Sequence, residues 1–165
     1  MRNMFVIAVF CLGWGTFESF AAEPRLMVSD LEVLSGDPWK GSLSYLDYSS
    51  NRIDQIPVEM QFETVKRRGI VYRLKYPGET QYNTREKLRI LADGRRINKE
   101  PVTARTELED GTVIVQTQFP GQDDEQPATI RMTYSLHPQR LEIRKEVKPE
   151  GADEFFERNA YRLTR

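Results

Sequence analysis

The sequence predicts an all-β chain that closes into an antiparallel up-and-down (meander) barrel of about eight to ten strands, preceded by a short helix. Three observations carry this reading. Side chains alternate apolar and polar with period two over most of the chain after Trp39. Short joints of turn-forming residues separate the alternating runs. No helical stretch is long enough to cover an apolar sheet face.

The N-terminus comes first in chain order. Arg2 is followed by the apolar run from Met4 to Trp14, too short to span a bilayer, and small residues sit near Ala21. This is the pattern of a secretory leader over residues 1–21, cut after Ala21 or Ala22, and it predicts a bacterial protein of the periplasm or the medium. Cys11, the only cysteine, would leave with the leader, so the mature part holds no disulfide and no thiolate. Residues 22–165 have the size of a single domain, and no later apolar stretch could cross a membrane as a helix. The 24 Lys and Arg against 25 Asp and Glu are mixed along the chain, which argues against nucleic acid as the partner.

Between Pro24 and Leu34, the spacing of Leu26, Met27, Leu31 and Leu34 predicts a short helix that Ser35-Gly36-Asp37-Pro38 stops. About nine strands follow. The clearest places Ala128, Ile130, Met132, Tyr134 and Leu136 on one face against Thr129, Arg131, Thr133 and Ser135 on the other. Asp93-Gly94, Asp110-Gly111 and His137-Pro138-Gln139-Arg140 read as tight turns. Turning at Asp110-Gly111 sets Leu108 opposite Val113 and Ala104 opposite Thr117; turning at Pro138-Gln139 sets Leu136 opposite Leu141 and Tyr134 opposite Ile143. A meander with one apolar face hides it most simply by closing on itself, since a two-sheet sandwich needs strand-switching connections longer than these joints.

In this architecture the chain resembles the calycins, the lipocalin and fatty-acid-binding-protein group, with Gly36-Asp37-Pro38-Trp39-Lys40-Gly41 standing where their glycine-tryptophan motif opens the first strand. Two residues separate Gly36 from Trp39, whereas the family has one. The resemblance implies a plugged barrel and a late arginine stacked on Trp39, for which Arg158, Arg162 and Arg165 are the candidates. The arginine-tyrosine clamp of the fatty-acid-binding branch is not carried over, because Arg158 and Tyr161 are three apart and face opposite ways.

No motif names a reaction, and the expectation is a non-catalytic protein with no catalytic residue, metal or cofactor. The single histidine, His137, sits at a solvent-facing turn, and Gly121-Gln122-Asp123-Asp124-Glu125 lacks the spacing of a calcium loop and reads as solvated. Two charges fall on the apolar face: Lys145 between Ile143 and Val147, and Glu157 between Phe155 and Asn159. If residues 149–153 form the hairpin loop, Lys145 lies opposite Glu157, with Met132 on its other side. The pair is either structural or the polar anchor of a ligand cavity lined by Met132, Tyr72, Tyr134 and Tyr161. The expected function is binding a small apolar or amphipathic molecule. The alternative is an envelope protein-interaction or assembly module with a solid core. An enzyme, or an outer-membrane barrel whose lipid face would have to carry Lys145, Glu157 and Asn159, fits less well.

Overall fold

Period-two patterning becomes strand wherever one face can be buried. In the computed structural model, which describes residues 23–165, Ala128, Ile130 and Leu136 are buried while the alternate Thr129, Arg131 and Ser135 stay half-exposed. The leader expected over residues 1–21 lies outside the described residues. Ten strands form: β1 (Trp39–Asp47), β2 (Arg52–Phe62), β3 (Gly69–Lys75), β4 (Thr84–Leu91), β5 (Arg96–Ile97), β6 (Glu100–Glu107), β7 (Val113–Asp123), β8 (Gln126–His137), β9 (Arg140–Pro149) and β10 (Phe156–Thr164). Every strand is antiparallel to its sequence neighbour, and β10 returns to pair with β1, which closes the barrel. The strand missing from the sequence reading is β5, two residues that pair Ile97 with Ile90 of β4 and with Glu100 of β6.

The leading segment is a 3-10 helix over Ser29–Leu34, shorter than the stretch from Pro24 to Leu34. It plugs one end: Leu26, Leu31 and Leu34 are buried, whereas Met27 is exposed. The plug is fixed by Asp30, which accepts two bonds from the Arg105 guanidinium at 3.0 and 2.8 Å. That same end holds Trp39, fully buried, its indole donating to the Leu34 carbonyl at 2.9 Å. Of the three candidate arginines, Arg165 is the one stacked on the Trp39 ring, 4.4 Å from its centroid, and it also donates to the carbonyls of Val33, Ser35 and Pro138.

Registers confirm one hairpin and correct another. Leu136 pairs with Leu141 and Tyr134 with Ile143 across the turn at Pro138-Gln139, as the turn chemistry predicts. Between β6 and β7, however, Glu107 pairs with Val113 and Arg105 with Val115. The connection is longer than a two-residue Asp-Gly turn, because the Asp110 side chain caps the Thr112 amide at 2.9 Å and Leu108 donates to the Thr112 carbonyl. Slipping by one turns Arg105 inward to meet Asp30, and an irregularity between Val102 and Ala104 then brings Val102 opposite Thr117.

Closure also requires a backbone approach at Gly41, where a Cβ would lie 2.0 Å from the Arg162 carbonyl oxygen of β10. Gly41→Ala is therefore expected to lose about 1–3 kcal/mol of stability by forcing β1 and β10 apart. A denaturant midpoint unchanged from wild type would refute that reading.

Candidate functional site

The barrel interior is not filled along its whole length. At the plug end lies a cavity of about 240 Å³, walled by apolar side chains that include Leu31 and Leu34 of the plug, Met60 and Phe62 of β2, and Leu136 and Leu141. This exceeds the roughly 150 Å³ of an apolar cavity able to hold benzene, enough for a small organic molecule. It reaches Leu88 and Asn98 on the side where the wall is thinnest. There β5 supplies only two residue pairs to each neighbour, against eleven between β7 and β8. Asn98, with φ of 57°, prolongs the β4–β5 pairing: its amide donates to the Arg89 carbonyl and its side-chain oxygen accepts from the Arg89 amide.

Four of the six expected binding residues line this space: Tyr72, Tyr134, Tyr161 and Met132. Their convergence follows from register, since β8, β9 and β10 set Tyr134, Ile143 and Tyr161 in one row. The Tyr161 and Tyr76 hydroxyls bond each other at 3.1 Å. Burial pushes the Tyr72 phenol up to about 12, and the Glu86 carboxylate adds to it. Tyr134 is raised by burial, with Tyr72 and Glu100 contributing, and Tyr161 by burial, by its bond to Tyr76 and by the other phenols and Glu86. All three therefore stay neutral at any physiological pH and can present O–H donors to a guest. The carboxylates of Glu86 and Glu100 act on these phenols from nearby, and Lys87 is the one charged side chain in the cavity lining.

Lys145 and Glu157 stand elsewhere, and not together. Lys145 does face inward, opposite Met132, but its partner on β10 is Asn159. An irregularity at Arg158 shifts the register there, so Glu157 pairs with Glu146 and turns to the outer wall, bonding the Arg162 guanidinium at 2.6 and 3.1 Å. That outer wall is an ion ladder: Arg131 joins Glu146, Arg144 lies between Glu146 and Glu142, and Arg162 joins Glu142 to Glu157. Lys145 instead reaches Asp123 at 2.6 Å.

Asp123 is the centre of a cluster that closes the far end of the barrel. Arg158 lies 3.3 Å from it, the Tyr48 hydroxyl bonds it, and the Arg158 guanidinium covers the Tyr48 ring at 4.3 Å. The stretch from Gly121 to Glu125 is thus no solvated loop. β7 runs on to Asp123, β8 resumes at Gln126, and Asp124 and Glu125 alone make the turn with φ of 49° and 60°. Ala128, Ile130 and Val147 pack with Phe119, Met132 and Phe156 into a second apolar cluster. Burial by itself would raise the Asp123 carboxyl, but Lys145, Tyr48 and Arg158 outweigh it and hold the pKa below the usual carboxylate value. Lys145 is paired with Asp123 there and is not among the residues that line the cavity.

Alternation alone misses the plug leucines, Asn98 and the Asp123 cluster. Only the inward position of Asp123, two residues beyond Gly121 on an odd-numbered face, could have hinted at the last. No protein-family model, curated protein or solved structure matches the chain, so the function has to be read from the cavity and its phenols.

Proposed function

We propose that this protein is an exported, non-catalytic binding protein whose barrel takes up a small, mostly apolar molecule bearing a hydrogen-bond acceptor such as a carbonyl. The carrying observation is the 240 Å³ cavity in which apolar walls meet the neutral phenols of Tyr72, Tyr134 and Tyr161. An apolar site that orients its guest by a few placed polar groups is the usual design of small-molecule pockets. Three further features support the reading. The closed barrel, its N-terminal plug and the Arg165–Trp39 stack together resemble the calycins. The outer wall is charged rather than banded with apolar residues, as a water-facing barrel requires. The leader pattern before Ala22 directs the chain to the periplasm or beyond.

The test is a matched series of ketone, carboxylate and hydrocarbon guests with equal chain length, titrated by calorimetry and observed by native mass spectrometry. The ketone is expected to bind best. Tyr134→Phe keeps the ring and removes the donor, so it should weaken the ketone by about five- to tenfold and leave the hydrocarbon nearly unchanged. Ile143→Phe fills the cavity and should abolish uptake of all three. A wild-type protein that takes up none of them, or an Ile143→Phe variant that binds as well as wild type, would leave the barrel as a packed interaction module.

A further inference from the structure

The outer surface carries a second concavity that the binding cavity does not explain. The charges are less evenly mixed than the sequence reading has them: residues 64–99 contain eleven Lys and Arg against three Asp and Glu, in a chain whose net charge is −1. The fold gathers a large part of this surplus on β3, β4 and the hairpin that joins β2 to β3. Between that hairpin and the outer face of β4 lies a groove of about 400 Å³, lined by Lys66, Arg67, Arg68, Arg85 and Lys87 and by a single carboxylate, Glu63.

Glu63 is already engaged: Arg85 grips it at 3.0 Å and Arg73 lies 3.4 Å away. Lys66, Arg67, Arg68 and Lys87 have no carboxylate within salt-bridge distance among the described residues. The tip of the hairpin is also held in place. Lys66 and Gly69 exchange two backbone bonds of 2.9 Å, leaving Arg67 and Arg68 as a two-residue turn, and the Ile90 amide donates to the Arg68 carbonyl at 3.1 Å. Gly69, with φ of +121°, lets this turn lie against β4, because a Cβ there would sit 1.9 Å from the Leu88 carbonyl oxygen. A solvated basic face needs neither a pinned turn nor a concave floor. Unpaired guanidinium and ammonium groups converging on one groove match a multiply charged oxyanion, which offers several acceptors to forked donors.

We propose that this groove is a binding site for a phosphate-bearing anion, either a free diphosphate-type group or the phosphate head of a lipid. The groove lies on the outer wall and meets the apolar cavity only at Lys87, which lines both. The experiment uses the whole mature chain at physiological ionic strength, where fields beyond about 8 Å are screened and groove contacts persist. Inorganic pyrophosphate is titrated while the backbone amides are followed by nuclear magnetic resonance. In parallel, the protein is sedimented with vesicles of phosphatidylglycerol or of phosphatidylcholine.

Pyrophosphate is expected to shift the amides of residues 66–69 and of β4. The double change Arg67→Gln with Arg68→Gln, which leaves the backbone bonds of the turn intact, should weaken binding on the order of tenfold, and Lys87→Gln should weaken it too. Lys148→Gln, which also removes one positive charge but sits on β9, serves as the control and should change nothing. Binding to phosphatidylglycerol vesicles that the double variant loses would identify a lipid head as the source. Binding of pyrophosphate without vesicle binding would identify a soluble anion. If neither probe engages the hairpin, or if Lys148→Gln weakens binding as much as Lys87→Gln, the groove is only a solvated basic face.

Discussion

Trp39→Ala is expected to remove about 3–5 kcal/mol, a large share of the roughly 5–15 kcal/mol that a domain of this size holds. Trp39 is fully buried where the plug, β1 and β2 meet, opposite Met60 across the strand pair. Truncation opens a cavity that the closed barrel cannot collapse into, since β1 is paired on both sides. It also leaves the Leu34 carbonyl without its indole donor and takes the platform from under Arg165, whose carbonyl bonds tie the C-terminal end of β10 to the plug at Val33 and Ser35 and to the β8–β9 turn at Pro138. Trp39→Phe restores part of the volume but not the donor, and should fall between the two. Urea denaturation measures this directly: a loss below about 1 kcal/mol for the alanine variant would mean that the plug does not depend on the tryptophan.

The second large effect is expected at the opposite end of the barrel. Asp123→Ala should cost about 3 kcal/mol, because it strands Lys145 and Arg158 together in a site where each is about three-quarters buried. Lys145→Met should cost less, since Asp123 keeps Arg158 and the Tyr48 hydroxyl. The pH dependence has a definite sign. A carboxyl whose pKa is depressed on folding stabilises the fold above its unfolded value of about 3.9, and that contribution is lost as pH falls through the lower folded value. Wild type should therefore lose stability below about pH 4 more steeply than Asp123→Asn. Glu146, held low by its bonds to Arg131, keeps part of the slope in that variant. Parallel acid-unfolding curves for wild type and Asp123→Asn would contradict this account, as would Lys145→Met proving more damaging than Asp123→Ala.

The inward set Tyr134, Leu136, Leu141 and Ile143 was readable because a short turn transmits register without ambiguity, and alternation names the face. The separation of Lys145 from Glu157 was not readable. The irregularity at Arg158 inserts one residue into β10, and a single insertion moves every residue before it to the other face. What makes the irregularity worth forming is non-local: Arg158 has Asp123 from β7 and Tyr48 from beyond β1 to bind. The slip between β6 and β7 has the same origin, since Arg105 turns inward only because Asp30 waits in the plug. The basic groove was present in the sequence as an excess of Lys and Arg over residues 64–99. It became a concavity only when the Lys66–Gly69 turn was pinned to β4.

The strand class, the meander order and the apolar inner face were legible in the chain, because each rests on side-chain period and turn chemistry within about a dozen neighbouring residues. That Arg165 stacks on Trp39, that Lys145 pairs with Asp123, and that a space of about 240 Å³ survives among the tyrosines follow from barrel closure alone. Those outcomes depend on which strands face one another across the barrel and on how far each register slips. They are set by closing the sheet, where distant charges and volumes must be satisfied at once.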